Sequence, residues 1–194
     1  NKLRAIFLAF VMVTSVVAVG AAGLAGSAAA QSSGDLIVDD DDNTGSNEFA
    51  DIQAAVDAAS DGDVIVVEPN SGSGYAGFDV PGSSGLGSGD SITIRGASGA
   101  TPVVSAGGDS VFDLTSGGPD VTIENLFLKG DANNAGNTII DAAAGAGAGT
   151  TTVTDSIIES NNDARHLQHQ RTVRLENNIF NVTSGSPNAA VFLS

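Results

Sequence analysis

The chain has 194 residues, with 23 Asp and Glu against 7 Lys and Arg, and a formal net charge of −16. This charge excludes non-specific nucleic-acid binding, which needs cationic side chains along the contact. The sequence has no cysteine and no tryptophan, which excludes disulfides and thiolate metal sites, so packing or bound ions must stabilise the fold. The length allows one domain or part of a longer one.

The first segment has the pattern of a secretory signal. Two cations precede an apolar run over residues 5–26, and Ala28 and Ala30 fit a small-x-small cleavage site. We therefore expect a signal peptide over 1–30, a polar linker over 31–34, and a body that is secreted or held at the cell surface. The apolar run is also long enough to span a bilayer as an uncleaved anchor. Membrane contact is expected only through this segment or an anchor outside the sequence.

A dense acidic stretch follows the first short strand. Asp40, Asp42, Glu48 and Asp51 are spaced loosely like the ligands of a calcium loop. The stretch departs from that loop at Thr44, where an acid or amide is usual, at Asp51, where a bidentate Glu is usual, and in following a strand. Two interpretations remain, a calcium site and a solvated acidic turn, and calcium is the one cofactor that the sequence indicates.

A short amphipathic helix is the next predicted element. Apolar residues recur at spacings of three to four at Phe49, Ile52, Val56 and Ala59. The spacing predicts a helix over about 48–60, capped by Ser46 or Asn47 and ended by Gly62. The β-branched run at 64–67 predicts a buried strand directly after it.

Repeated strand patterns occupy the rest of the chain. Alternating segments occur at 92–96, 121–125, 151–155 and 173–177. With Ile94, Ile123, Val153 and Leu175 as equivalent positions, the repeats are 29, 30 and 22 residues long. Unequal lengths argue against a rigid solenoid and favour fixed strands joined by variable loops. Shorter apolar runs between these segments add the two or three strands per repeat that a parallel β-helix requires.

Five segments carry a family resemblance: Ile52 to Ala59, Gly62 to Val67, Tyr75, Ile92 to Gly96 and Val121 to Leu126. Together they resemble the opening of pectin-lyase-like β-helix proteins. The resemblance implies an all-β fold over 35–194, a right-handed single-stranded parallel β-helix with an N-terminal capping α-helix. The chain has a lengthened turn over 69–75 where that family has Pro-Gly-x-Tyr. The superfamily holds lyases, hydrolases, epimerases, adhesins and surface proteins, so the resemblance does not fix an activity.

The composition resembles that of proteins from salt-loving archaea. After residue 31 the chain carries 5 Lys and Arg, of which only Lys129 is lysine, against 23 Asp and Glu, a formal net charge of −18. The first 30 residues also resemble the leaders of haloarchaeal surface glycoproteins, at 2–6, 12–16 and 26–30. An ordinary acidic secreted protein is the alternative interpretation.

Polar residues at equivalent positions of three repeats suggest a structural ladder. Asn125, Asp155 and Asn177 each follow an alternating segment, and an amide at a corner can bond its equivalent in the next repeat. A polysaccharide hydrolase would need two carboxyl groups about 5 to 10 Å apart. Acids on neighbouring repeats would suffice, and the candidates are Asp113, Glu124, Asp155, Glu159 and Glu176.

Two further features stand apart from the repeats. The segment 161–174 holds both histidines, His166 and His169, and three of the five cations after residue 31. The histidine pair would bind a metal only if the segment were helical, and a divergent loop or an anion contact explains the composition equally well. Asn181 begins the one glycosylation sequon, Asn-Val-Thr.

We expect an extracellular surface or envelope protein of a halophilic archaeon, with a structural role or contacts to glycans, cells or envelope proteins. The alternative is a polysaccharide lyase or glycoside hydrolase of the same fold, and a calcium-stabilised adhesin is a third hypothesis. The sequence ends at Ser194 within a strand-like run, so we also expect an N-terminal fragment of a longer protein.

Overall fold

The computed structural model of the chain describes ten stretches of residues. They are 35–41, 45–81, 84–106, 110–114, 118–130, 138–142, 149–161, 165–169, 172–184 and 192–193. The predicted signal peptide, the predicted linker and Asp42 lie outside the described residues.

Within the described residues the fold consists of one short helix and seventeen strands. In chain order they are β1 (Leu36–Val38), β2 (Glu48–Phe49), α1 (Ile52–Ala58), β3 (Val64–Val67), β4 (Tyr75–Ala76), β5 (Phe78–Val80), β6 (Ser91–Gly96), β7 (Val103–Ser105), β8 (Phe112–Leu114), β9 (Asp120–Glu124), β10 (Phe127–Lys129), β11 (Thr138–Ala142), β12 (Thr150–Thr154), β13 (Ile157–Asn161), β14 (Arg165–His169), β15 (Thr172–Glu176), β16 (Ile179–Ser184) and β17 (Phe192–Leu193). The protein is therefore all-β apart from α1.

The strands form three parallel sheets. Sheet A has the order β15-β12-β9-β6-β3-β1-β2, sheet B the order β16-β13-β10-β7-β4, and sheet C the order β17-β14-β11-β8-β5. From β3 onward, each strand pairs with the strand three places later in the chain, and all these pairings are parallel. One strand of each sheet, in the order A, B, C, makes up what we call a repeat, and β3, β6, β9, β12 and β15 begin the five repeats.

The strand register matches the equivalences predicted from the sequence. Ile94 pairs with Ile123, Ile123 with Val153, and Val153 with Leu175. The prediction of equivalent strands in successive repeats is therefore confirmed. It succeeds because an apolar residue facing the core must recur at every repeat, whatever the length of the loops between the strands.

The core is a single apolar cluster to which all three sheets contribute. Ile65, Ile94 and Ile123 of sheet A, Leu128 of sheet B and Phe112 of sheet C are among its most buried side chains, each 0% exposed. Strands alternate between buried and accessible residues, as in β6 and β9. One face of each sheet therefore lines the core and the other faces outward.

The helix is shorter than predicted. It spans Ile52–Ala58 rather than about 48–60, because Glu48 and Phe49 form β2 and pair with β1. The predicted caps Ser46 and Asn47 are also wrong. Asp51 is the N-cap, and its carboxylate accepts a hydrogen bond from the Ala54 N–H at 2.7 Å.

The helix closes one end of sheet C. β5 is the edge strand of that sheet, and α1 packs against it. The Gln53 side chain accepts a hydrogen bond from the Asp79 N–H at 2.8 Å and donates one to the Asp79 carbonyl at 3.2 Å. One amide side chain thus satisfies backbone groups that a further strand would otherwise pair.

A buried tyrosine ties the start of sheet B to sheet A. The Tyr75 hydroxyl donates to the Glu68 carbonyl at 3.1 Å and lies 3.5 Å from the Val38 carbonyl. Burial, together with the nearby negative charge of Asp40, raises the pKa of Tyr75 to about 12. The hydroxyl is therefore held in its neutral, donating form.

Candidate functional site

The described part of the predicted calcium loop holds acids that bond to backbone groups. The Asp40 carboxylate accepts hydrogen bonds from Ser71, from its N–H at 3.2 Å and from its hydroxyl at 3.0 Å. Glu48 accepts a hydrogen bond from the Gly45 N–H. Asp40 therefore fastens the loop after β3, and Glu48 closes the turn before β2.

Asp51 acts as the helix cap, and Asp42 lies outside the described residues. Among the described residues, no three His, Asp or Glu side chains converge in a way that could hold a metal ion. The calcium site stays a prediction, because one of its four proposed ligands is not described.

The three predicted ladder residues share one unusual backbone conformation. Asn125, Asp155 and Asn177 follow β9, β12 and β15, and their φ angles are 53°, 50° and 55°. Asn and Asp tolerate this left-handed region better than other non-glycine residues, since their short side chains bond locally. Each residue turns the chain sharply from sheet A into sheet B.

The side chains of two of these turn residues form hydrogen bonds with nearby backbone and hydroxyl groups. Asn125 donates to the Ala100 carbonyl and accepts from the Thr101 hydroxyl at 3.3 Å, while Asp155 accepts from the Thr154 hydroxyl at 3.0 Å. In the described residues, no hydrogen bond joins the three side chains to one another. The three predicted ladder residues are therefore turn residues at the corner between sheets A and B, and the ladder between their side chains stays a prediction.

A polar ladder does exist, one residue further along the chain. The Ser156 hydroxyl accepts a hydrogen bond from the Leu126 N–H at 3.2 Å, and the Asn178 amide oxygen accepts one from the Ser156 N–H at 3.0 Å. Asn178 also donates to the Val153 carbonyl at 2.7 Å. Each side chain thus satisfies a backbone group of the preceding repeat at the corner, where the strands no longer pair.

The candidate acids for a hydrolase are distributed over all three sheets. Glu124 and Glu176 lie on sheet A with Thr154 between them in the register, and Asp155 lies at the adjacent turn. Glu159 lies on sheet B, and Asp113 lies on sheet C. The structure therefore does not bring these five acids together into one cluster.

Sheet C carries an aspartate column that the sequence analysis missed. Asp79, Asp113 and Asp141 are in register on β5, β8 and β11. The residues before and after Asp113, Phe112 and Leu114, are buried, so the column faces away from the core. Strand spacing places neighbouring members about 4.8 Å apart along the backbone. The sequence pattern that could have revealed the column is an Asp between two apolar residues, which recurs in every third strand. The intervals between these Asp residues are 34 and 28 residues.

Asp141 is a poorly solvated member of this column. Its Oδ1 atom is buried and has no hydrogen-bond partner among the described residues. Burial raises the pKa of this carboxyl above its usual range, because the charged form loses hydration without compensation. A neighbouring pair of carboxyls, one of them with a raised pKa, is the combination that general acid catalysis uses.

The histidine-rich segment includes a strand. Arg165–His169 forms β14, which pairs with β11. The helix on which the proposed histidine pair depended is therefore not formed.

The sequon lies on an accessible strand. Asn181 of β16 is exposed, and its side-chain amide donates to the Glu159 carboxylate of β13 at 2.9 Å. Thr183, the hydroxyl residue of the sequon, is also exposed and donates to the Ser160 carbonyl at 3.4 Å. The acceptor amide is therefore open to the outside of sheet B.

Among the described residues, none forms a helix with the length and apolar character needed to cross a membrane.

The chain was compared with protein-family models, with curated proteins and with solved structures. None of them matches the chain.

Proposed function

We propose that this chain is an extracellular surface or envelope component of a halophilic archaeon, built as a right-handed single-stranded parallel β-helix with α1 as its N-terminal cap. The single observation that carries the proposal is the regular outer face of sheet A. There, strands in register present polar side chains in columns, which makes a contact surface rather than an enclosed site.

The strand order supports the β-helix. Each strand pairs in parallel with the third strand after it. The chain therefore passes through sheets A, B and C in turn and then adds the next strand to sheet A. Parallel crossovers are right-handed in about 98% of cases, which supports the proposed hand. Contact between α1 and β5 supports the role of the helix as a cap.

The columns on the outer face of sheet A are mostly hydroxyl and charged groups. Two columns run in register across four strands: Thr93, Thr122, Thr152 and Arg174, and Arg95, Glu124, Thr154 and Glu176. Beside them, Ser91 pairs with Asp120 and Thr150 pairs with Thr172. Hydroxyls repeated at the strand spacing of about 4.8 Å are suited to hydrogen bonds with polar polymers such as glycans. Acids interspersed among them favour neutral over acidic glycans.

The net charge of the chain supports a role in a salt-rich medium outside the cell. A formal net charge of −16 on 194 residues repels itself in dilute buffer, and molar salt shortens the screening length to about 3 Å. The proposed signal peptide over 1–30 and the proposed glycan on Asn181 are consistent with export to that medium.

The test is to express the full chain in a halophilic archaeal host, locate it by cell fractionation, and measure glycan binding by calorimetry in molar salt. We expect the protein in the envelope fraction or the medium, binding to neutral polysaccharide without product release, and weaker binding by a Thr122→Ala/Thr152→Ala variant. Lys129→Ala on sheet B is the matched control. Retention in the cytoplasm, or turnover of the glycan, would overturn the proposal.

A second candidate function, a glycoside hydrolase, is favoured by Asp113 and Asp141. These carboxyls lie on adjacent strands, and burial raises the pKa of Asp141. Retaining glycosidases hold their two carboxyls at about 5 to 5.5 Å, close to the strand spacing. In that case Asp141 would be the proton donor and Asp113 the nucleophile.

A reducing-sugar assay over a polysaccharide panel separates the two candidates. The hydrolase predicts turnover that falls at least 100-fold in both Asp113→Asn and Asp141→Asn, a loss typical of general acid–base groups. Asp79→Asn, at the exposed end of the same column, is the matched control. Turnover that persists in both variants would remove this candidate.

A further inference from the structure

Sheet B carries an apolar column on its outer face. Val103, Phe127 and Ile157 are in register on β7, β10 and β13. The residue that follows each of them is 0% exposed and belongs to the core. Because side chains alternate along a strand, the column points outward, and each of its members is partly exposed.

A polar column lies beside the apolar one. Ser105, Lys129 and Glu159 are in register on the same three strands, two residues further along each of them. Lys129 is exposed, and it is the only lysine after residue 31. Within the described part of the chain, the one ion pair joins Arg95 to Asp35, so the Lys129 ammonium group has no carboxylate partner there.

The two columns are complementary to those of a second copy that faces them. The relevant two-fold axis runs parallel to the strands, midway between β10 and β13. About this axis, each β10 faces β13 of the second copy. Phe127 then lies against Ile157 of the second copy, and Lys129 lies against Glu159 of the second copy. Symmetry makes each of these pairs occur twice.

Other two-fold axes would oppose groups that do not match. An axis along β10 itself would place Lys129 against Lys129 of the second copy. An axis across the strands at Leu128 would place Lys129 against Phe127. Like charges across an interface repel, and a charge buried against an apolar side chain loses hydration without gaining a partner. The pattern of charge on the face therefore favours the axis between β10 and β13.

We propose that two copies of this chain dock face to face through the outer side of sheet B, about the axis between β10 and β13. The two facing sheets lie about 10 Å apart with their strands aligned to within about 30°, as in a β-sandwich. The interface is isologous, so it closes as a dimer. Its face is small, so the dimer is weak and forms in a concentration-dependent way.

Salt and glycosylation should both affect this dimer. The formal net charge of −16 opposes association in dilute buffer, and molar salt screens this repulsion to about 3 Å. The Lys129–Glu159 pairs are screened less, because the facing sheets shield them from solvent. Asn181 is the neighbour of Glu159 in the register, so a glycan on Asn181 would hold the sheets apart. The dimer therefore requires an unmodified sequon.

Sedimentation velocity over a concentration series in molar salt tests the charge pairs. The full chain is made in a bacterial host that does not glycosylate Asn181. We expect a dimer for the natural sequence, and dissociation constants raised on the order of tenfold for Lys129→Glu and for Glu159→Lys, because each change opposes like charges in two symmetric pairs. The double variant Lys129→Glu/Glu159→Lys exchanges the charges and should restore the dimer. Arg174→Glu, the same charge change on sheet A, is the matched control.

Phe127→Thr tests the apolar contact and should also weaken the dimer. Val64→Thr is its matched control, because Val64 is a partly exposed residue on a strand of sheet A. Circular dichroism verifies that each variant keeps its strands. The apolar first segment is identical in all variants, so association through it cannot produce the loss and rescue. A monomeric natural chain, equal association in all variants, or a double variant that stays monomeric would overturn the proposal.

The scarcity of lysine permits a separate test of the register. A carbodiimide joins an amine to a carboxylate that it contacts, and it can be applied to a mixture of unlabelled and nitrogen-15-labelled chains. Mass spectrometry should then find peptides that link Lys129 of one chain to Glu159 of a chain with the other label. If every Lys129–Glu159 link joined peptides with the same label, the contact would lie within one chain, which would contradict the dimer.

Discussion

The side-chain amide of Gln53 forms two hydrogen bonds with the backbone of Asp79, accepting from its N–H at 2.8 Å and donating to its carbonyl at 3.2 Å. The two residues are 26 positions apart, and they join α1 to the edge of sheet C. Gln53 also donates to the Asp57 carboxylate at 3.0 Å, which holds the amide in its orientation. This side chain reproduces the pairing that an additional strand would provide.

Replacing Gln53 with alanine should destabilise the protein by about 1 to 3 kcal/mol, because it leaves the backbone groups of Asp79 without their partner. Urea unfolding in molar salt gives the measurement. Asp57→Ala, which removes the contact that orients Gln53 but keeps the Gln53 amide itself, should cost less. Equal stability of Gln53→Ala and the natural chain would show that the cap does not depend on this amide.

Gly96 should not tolerate a side chain. A Cβ atom there would overlap the Asn125 carbonyl oxygen and lie 2.7 Å from the Pro102 ring. Gly96→Ala should therefore cost about 1 to 3 kcal/mol, the usual range for overpacking. Gly72→Ala is the control, since a Cβ there meets nothing within 4 Å. Thermal unfolding of the two variants should differ by several degrees, and similar midpoints would contradict the close approach.

Tyr75 should ionise near pH 12 in the folded protein. It is the only tyrosine and there is no tryptophan, so absorbance at alkaline pH reports this single hydroxyl. An unfolded tyrosine titrates near pH 10. Because the pKa of Tyr75 is higher in the folded than in the unfolded state, the contribution of Tyr75 to the free energy of unfolding is constant below about pH 10. This contribution falls as the pH rises towards 12. A midpoint near 10 before unfolding would mean that the hydroxyl is not buried.

Asp141→Asn should stabilise the protein at neutral pH. Burial raises the pKa of Asp141, so the folded state binds this proton more tightly than the unfolded state. The protonated carboxyl contributes its full stability below the unfolded pKa, about 3.9, and this is lost as the pH rises through the folded pKa. Asparagine removes that loss. The free energy of unfolding of Asp141→Asn, measured from pH 4 to 8, should decline less than that of the natural chain. An equal decline in the two chains would contradict the burial of Asp141.

Asn178→Ala should destabilise the corner between sheets A and B by about 1 to 3 kcal/mol. The change removes the side-chain partners of the Ser156 N–H and the Val153 carbonyl. Asn177→Gly is the matched control, because glycine readily adopts the left-handed conformation of that position. If hydrogen exchange at Ser156 is unchanged in Asn178→Ala, the amide does not protect this corner.

Strand positions were predictable because burial imposes a pattern on the sequence. Ile94, Ile123, Val153 and Leu175 lie in one register, as their apolar alternation predicted. The helix boundary was less predictable. Phe49 fits the apolar stripe of a helix, but its backbone pairs with Val38, and a local pattern cannot reveal that long-range pairing.

The polar features escaped the sequence analysis for a related reason. Asn125 and Asn178 are both asparagine near the end of a strand and both bond the preceding repeat, yet only Asn125 has the left-handed conformation that turns the chain. Which role each takes depends on φ and on the neighbouring repeat. The aspartate column escaped because its members are separated by loops of different length, so no fixed interval marks Asp79, Asp113 and Asp141 as neighbours.

The helix α1 is joined to the edge of sheet C by residues that lie early in the chain. Both Gln53 and Asp79, and all of α1 and β5, fall within the first 80 positions. Each later strand needs only the repeat before it as a template. We therefore expect the chain to fold in the order of its synthesis, and to begin while its later segments are still being synthesised.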